Sequence, residues 1–108
     1  MADVAGLMAD ELVTKCITGG YVEKKSFEGG VRYIIRSLDL FIELHVVSEG
    51  GEVYFEIWDY STSASPMFTR SFNTSDLDVE FARAILCRVY KLILLRRISK
   101  ITYEGEVF

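Results

Sequence analysis

The sequence predicts an α+β fold in two layers: an antiparallel β-meander of about five strands, with an N-terminal and a C-terminal helix on one face. Three observations predict it. Residues 40–47 and 53–60 alternate strictly, the second segment setting Val53, Phe55 and Ile57 against Tyr54, Glu56, Trp58 and Tyr60. This is the period-2 signature of strands whose two faces meet different surroundings. The diglycine pairs Gly29-Gly30 and Gly50-Gly51 punctuate the same stretch, and tight hairpin turns need the positive φ that glycine adopts without steric cost. Helical spacing of apolar residues appears only toward the two ends of the chain.

The first element is an amphipathic helix over residues 3–17, with Val4, Met8 and Leu12 in line and Leu7 beside them. Asp3 suits its cap and Gly19-Gly20 stops it. Gly29-Gly30 as a two-residue loop pairs Phe27 with Arg32, Lys25 with Ile34 and Glu23 with Arg36. The turn around 37–39 has two possible closures, and both keep Arg32, Ile34 and Arg36 on the face of Phe41, Glu43 and His45. Gly50-Gly51 sets the next register, with Val46 facing Phe55 and Leu44 facing Ile57. On the opposite face Val47 meets Tyr54, His45 meets Glu56, Glu43 meets Trp58 and Phe41 meets Tyr60. A register one residue off would mix the aliphatic and aromatic sets, so turn and pattern agree.

A fifth strand over residues 67–72 follows the Ser-rich loop that ends in Pro66, and its expected outer set is Phe68, Arg70 and Phe72. The second helix opens on a Ser75/Asp78 capping box, with Asp76, Asp78 and Glu80 complementing the positive end of its dipole. Leu77, Phe81, Ile85, Val89, Leu92 and Ile93 form its expected core stripe, and Lys91, Arg96, Arg97 and Lys100 collect at the negative end. A short last strand is expected from residue 101 to 103 or to 108. Residues 1–108 are read as one domain, without repeat or linker.

Composition narrows the function classes. The net charge is −4 and the pI about 5.0, which disfavours duplex binding through a basic footprint. Glutamine is absent and Asn73 is the only asparagine; depletion of thermolabile amides is a thermophile trait. No run approaches the roughly 18–20 apolar residues of a membrane span. An acidic residue at position 3, where a secretory signal would be basic, predicts a cytoplasmic chain. Cys16 and Cys87, on the two predicted helices, are then expected as two buried free thiols, with a disulfide between them as the alternative. Without a CxxC, and with His45 the only histidine, no common zinc site is expected. No Gly-rich phosphate loop or other cofactor motif is present, so no cofactor is expected.

The face left uncovered by the helices is the expected working surface. Its predicted residues are Arg32, Arg36, Phe41, Tyr54, Trp58, Tyr60, Phe68, Arg70 and Phe72, with Lys25 and Phe27 beside them. So many rings on an uncovered face make a larger apolar patch than a monomer usually shows. A protein partner, most simply a second copy, fits aromatic and arginine enrichment and predicts a homo-oligomer. Single-stranded DNA or RNA, stacking its bases on the same rings, is the alternative. A small molecule held with His45 and Glu56 as polar groups is a third reading.

The His45–Glu56 pair is the only arrangement suggesting acid–base chemistry. The carboxylate is expected to raise the histidine pKa, and Arg32 to hold Glu43 ionised. No serine or cysteine nucleophile stands beside the pair, so it reads as a cross-strand ion pair in a non-enzymatic module.

The helix–sheet–helix order resembles the double-stranded RNA-binding domain. That domain has three strands and a basic start to its second helix, whereas residues 76–80 here are acidic. In architecture alone, the aromatic-lined sheet resembles archaeal single-stranded DNA-binding proteins of the ThermoDBP type.

Overall fold

The computed structural model describes residues 3–17, 19–37, 42–59, 65–73, 75 and 77–107, with side chains through residue 95. The elements run α1 (Val4–Lys15), β1 (Tyr21–Phe27), β2 (Gly30–Arg36), β3 (Ile42–Glu49), β4 (Glu52–Asp59), β5 (Phe68–Asn73) and α2 (Val79–Val107). The five strands form one sheet in the order β1-β2-β3-β4-β5, and each pairs antiparallel with its sequence neighbours. The predicted α+β meander, with a helix near each end of the chain, is the fold observed.

The β3–β4 hairpin has the expected register throughout its described length: Val46 faces Phe55, Leu44 faces Ile57, Val47 faces Tyr54 and His45 faces Glu56. Gly50 and Gly51 take φ of 59° and 82°, as the two central positions of a primed turn require. The first hairpin is corrected by two residues. Its loop is Glu28-Gly29, so Lys25 faces Arg32, Glu23 faces Ile34 and Tyr21 faces Arg36. Gly30 is a strand residue rather than a turn residue, and a Cβ there would collide with the carbonyl oxygen of Ser48 on β3. A shift of two preserves the parity, so the residues of β1 and β2 keep their predicted faces.

The fifth strand reverses expectation. Phe68 faces Ile57, Arg70 faces Phe55 and Phe72 faces Val53, which puts all three on the helix-covered side. Phe68 and Phe72 pack against the core, and Phe72 meets Phe55 edge-on with ring centroids 5.5 Å apart. An edge strand lets Arg70 lie on that side yet stay exposed, its guanidinium 4.9 Å from the Phe72 ring centroid.

Both helices cover the aliphatic face. Met8 and Leu12 of α1 and Ala82, Leu86 and Tyr90 of α2 join Ile35, Ile42, Leu44, Val46, Val53, Phe55 and Ile57 in one buried cluster. Each large side chain so buried contributes about 1.5–3 kcal/mol. Two details of the helices are corrected. On α1 the buried line is Ala5, Met8, Ala9 and Leu12, and Leu7 faces solvent. On α2 the stripe turns toward Ala82, Leu86, Cys87 and Tyr90, leaving Phe81 and Leu92 at 55% and 58% exposure. The cap of α2 is Asp78, whose Oδ1 accepts from the N–H of Phe81 at 3.2 Å. The helix continues to Val107, where a last strand was expected.

Cys16 and Cys87 are joined as a disulfide, with Cα atoms 5.7 Å apart, rather than standing as free thiols. The helices meet closely on the shared face, and the bond ties the end of α1 to the first third of α2. Beside it Glu11 of α1 stands 3.9 Å from Arg83 of α2, and Arg83 lies 3.6 Å from Glu80. Among the described residues, no helix is long and apolar enough to cross a membrane.

Candidate functional site

Strand parity builds the outer face in rows. β1 contributes Tyr21, Glu23, Lys25 and Phe27, and β2 contributes Arg32, Ile34 and Arg36. β3 contributes Glu43, His45 and Val47, and β4 contributes Tyr54, Glu56 and Trp58. β5 adds only Thr69, Ser71 and Asn73. Of the predicted site residues, the structure therefore brings Arg32, Arg36, Tyr54 and Trp58 onto one surface. It removes Phe68, Arg70 and Phe72 to the other. Phe41 and Tyr60 lie outside the described residues.

An ordered ladder of charges occupies the middle of this face. Arg36 donates from Nε to Glu43 Oε2 at 2.7 Å and from Nη1 to both oxygens of Glu23, at 3.0 and 3.2 Å. The bonds to Glu43 and Glu23 raise the arginine pKa further, and the arginine in turn lowers that of Glu23. Arg32 donates from Nη1 to Glu56 Oε1 at 2.6 Å. Trp58 donates from its indole Nε1 to the same oxygen at 3.3 Å. Arg36 thus holds Glu43 and Arg32 holds Glu56, whereas the sequence pattern had suggested Arg32 for Glu43.

His45 joins the two halves of the ladder. Its Nδ1 lies 2.7 Å from Arg32 Nη1 and its Nε2 lies 3.0 Å from Glu43 Oε1. The Glu56 oxygen is 3.9 Å from Nδ1, so the expected His45–Glu56 pair is mediated by Arg32. The ring is 4% exposed and stands 5.6 Å from the Trp58 ring centroid. Burial pushes the His45 pKa below its ordinary 6.5, outweighing the bond to Glu43, and the Arg32 charge adds to the lowering. The expected upward shift is corrected to a downward one. Desolvation of the imidazolium wins over the neighbouring carboxylates.

The chemistry of the face follows from this geometry. Both imidazole nitrogens are engaged and the ring is buried, so His45 offers no free lone pair to a reacting molecule. The apolar part is a frame around the charges. Ile34 and Val47 are buried beneath the long side chains, Tyr54 and Trp58 are half-buried, and Tyr21 and Phe27 are exposed along β1. Tyr21 was missed by the sequence reading, although the parity of β1 that selects Glu23, Lys25 and Phe27 selects it as well. The burial of Val47 carried no sequence signal, since its parity places it among polar neighbours. In comparisons with known proteins, no family model, no curated protein and no solved structure matches the chain.

Proposed function

We propose that the chain is a non-enzymatic binding module working through the outer face of its sheet, and that the partner is protein, most simply a second copy. One observation carries this reading. Both arginines at the centre of the face, Arg32 and Arg36, already hold carboxylates of the same face, while aromatic rings remain at its margins. Such a surface supplies apolar contact without a surplus of cations, as protein interfaces do. A row of alternating charges is also self-complementary under a two-fold axis. In plan, five strands spaced about 4.8 Å apart give a patch some 24 Å across, the scale of a standard interface of about 800 Å² per partner.

Single-stranded nucleic acid is the second reading, favoured by the rings of Phe27, Tyr54 and Trp58 on one face of the sheet. It ranks lower because the arginines that would meet phosphate are engaged and Arg70 lies on the other side. A cytoplasmic setting in a hot environment accommodates both the scarcity of amides and the Cys16–Cys87 disulfide, since intracellular proteins of hyperthermophiles carry disulfides.

The test is the oligomeric state by sedimentation, for the native chain and for Tyr54→Ala with Trp58→Ala. A dimer that the double substitution dissociates, with its circular dichroism unchanged, supports the protein reading. A native monomer whose Trp58 emission is quenched by single-stranded oligonucleotides, less so at higher salt, overturns it in favour of nucleic acid. A dimer indifferent to the substitutions puts the interface elsewhere.

A further inference from the structure

The bond between Arg32 and His45 fixes a protonation state. A guanidinium has only N–H donors and does not lose its proton in proteins. With Arg32 Nη1 at 2.7 Å, Nδ1 of His45 must therefore present its lone pair. The single ring proton is then on Nε2, where it is donated to Glu43 Oε1 at 3.0 Å. His45 is a neutral imidazole in the Nε2–H tautomer, with both nitrogens occupied.

A second proton has one place to go. On Nδ1 it would set donor against donor and cation against cation at 2.7 Å, an arrangement that cannot persist. A new partner is already in place, because Glu56 Oε1 stands 3.9 Å from Nδ1. That oxygen is the one now held by Arg32 at 2.6 Å.

We propose that His45 is a proton-operated latch on Arg32: protonation transfers Glu56 from the guanidinium to the imidazolium and releases Arg32 outward from the sheet face. The change takes up one proton and breaks no covalent bond. It turns a paired arginine into an available cation at the centre of the face.

The other groups facing His45 among the described residues support a local change. From β2, besides Arg32, there is Arg36, held by Glu43 and Glu23 at three points, so it stays. From β4, besides Glu56, there are Trp58 and Tyr54; burial raises the Tyr54 pKa, which keeps it protonated. From its own strand there is Glu43, whose bond to Nε2 survives because Nε2 carries a proton in both states. Behind Arg36, β1 contributes Glu23, with Lys25 at 3.9 Å from it. Burial of the ring places the latch point below pH 6.5.

The inference does not require the face to be an interface, since it is read on the isolated chain. Trp58 is the only tryptophan and His45 the only histidine, so indole emission and imidazole nitrogen resonances each report one site. Emission is titrated from pH 8 to pH 4 beside far-ultraviolet circular dichroism, and the ring nitrogens of labelled protein are followed over the same range. The expected result is an Nε2–H tautomer at pH 8. A reversible change in Trp58 emission should follow with a midpoint below 6.5, while the circular dichroism is still native. Arg32→Met should move that midpoint upward, because the neighbouring cation that opposes protonation of the ring is gone. An Nδ1–H tautomer at pH 8, emission that changes only as the chain unfolds, or a midpoint indifferent to Arg32→Met would each overturn the proposal. The nitrogen resonances are measured on the native chain, so the proposal stays testable even where a variant fails to fold.

Discussion

The phenol of Tyr33 on β2 donates to the carboxylate of Asp3, the N-cap of α1, thirty positions away in sequence. The same carboxylate accepts from the backbone N–H of Gly6 at 3.1 Å. One side chain therefore both starts a helix and pins it to the sheet. Asp3→Ala removes both bonds and should cost about 1–2 kcal/mol in urea denaturation. Tyr33→Phe should cost about 1 kcal/mol, and the double variant less than the sum, because the two residues share one bond.

The same pair has an alkaline signature. Burial and the Asp3 carboxylate push the Tyr33 hydroxyl up to about 12. Its folded pKa exceeds the ordinary 10.0, so the folded chain holds the proton longer. Stability is complete below pH 10 and is lost as pH rises toward 12. Absorbance at tyrosinate wavelengths should show Tyr33 titrating late, beside Tyr54 and Tyr90, which burial also raises, and Asp3→Ala should lower the Tyr33 pKa while the effect of burial remains.

Histidine sets the acid side of the curve. The folded pKa of His45 lies below its ordinary 6.5, so the unfolded chain binds the proton first. The stability contributed by the neutral ring is complete above pH 6.5 and declines as pH falls below it. In His45→Gln that part of the pH dependence should vanish, measured as the denaturation midpoint from pH 7.5 to 5.

Phe72 and Arg70 test the orientation of β5. Phe72→Ala should destabilise by about 2 kcal/mol, because the partly buried ring packs on Phe55 at the edge of the core. Arg70→Ala should change stability by no more than about 0.5 kcal/mol, as for most exposed positions. Equal small effects at both positions would reverse the strand.

Reduction of the disulfide is expected to be costly. With Cys16 and Cys87 separated by 71 positions in sequence, the chain-entropy model assigns the cross-link about 4 kcal/mol. Denaturation with and without reductant measures it, and Cys16→Ser with Cys87→Ser should match the reduced protein.

Legibility in the sequence followed the number of independent constraints on each element. The β3–β4 hairpin was readable pair by pair because Gly50-Gly51 and the alternation on both strands agree. In the first hairpin two adjacent glycines serve different needs, Gly29 a positive φ and Gly30 the close approach of Ser48, and nothing in the letters separates them. The fifth strand was misread because Arg70 sits between two phenylalanines. Its charge suggested an outer face, yet an edge position lets it reach water from the inner one. On α2 the small buried residue Ala82 displaced Phe81 from the expected stripe, because close packing against α1 and the sheet favours small volume. The ladder partners of Arg32 and Arg36 depend on side-chain reach across diagonals, which register alone does not settle.

The meander also shapes how the chain finds its structure. Each strand pairs only with its sequence neighbours, so most native contacts close over short stretches of chain. Low contact order of this kind favours rapid assembly, because each small loop is closed before the next must form. The exceptions are the packing of α1 on β2 and β3 and the seam between α1 and α2, and the seam cannot form until the sheet exists between the two helices. Assembly should therefore begin at the glycine turns and finish at the helix pair, where a cross-link is best placed to hold a chain that has already folded.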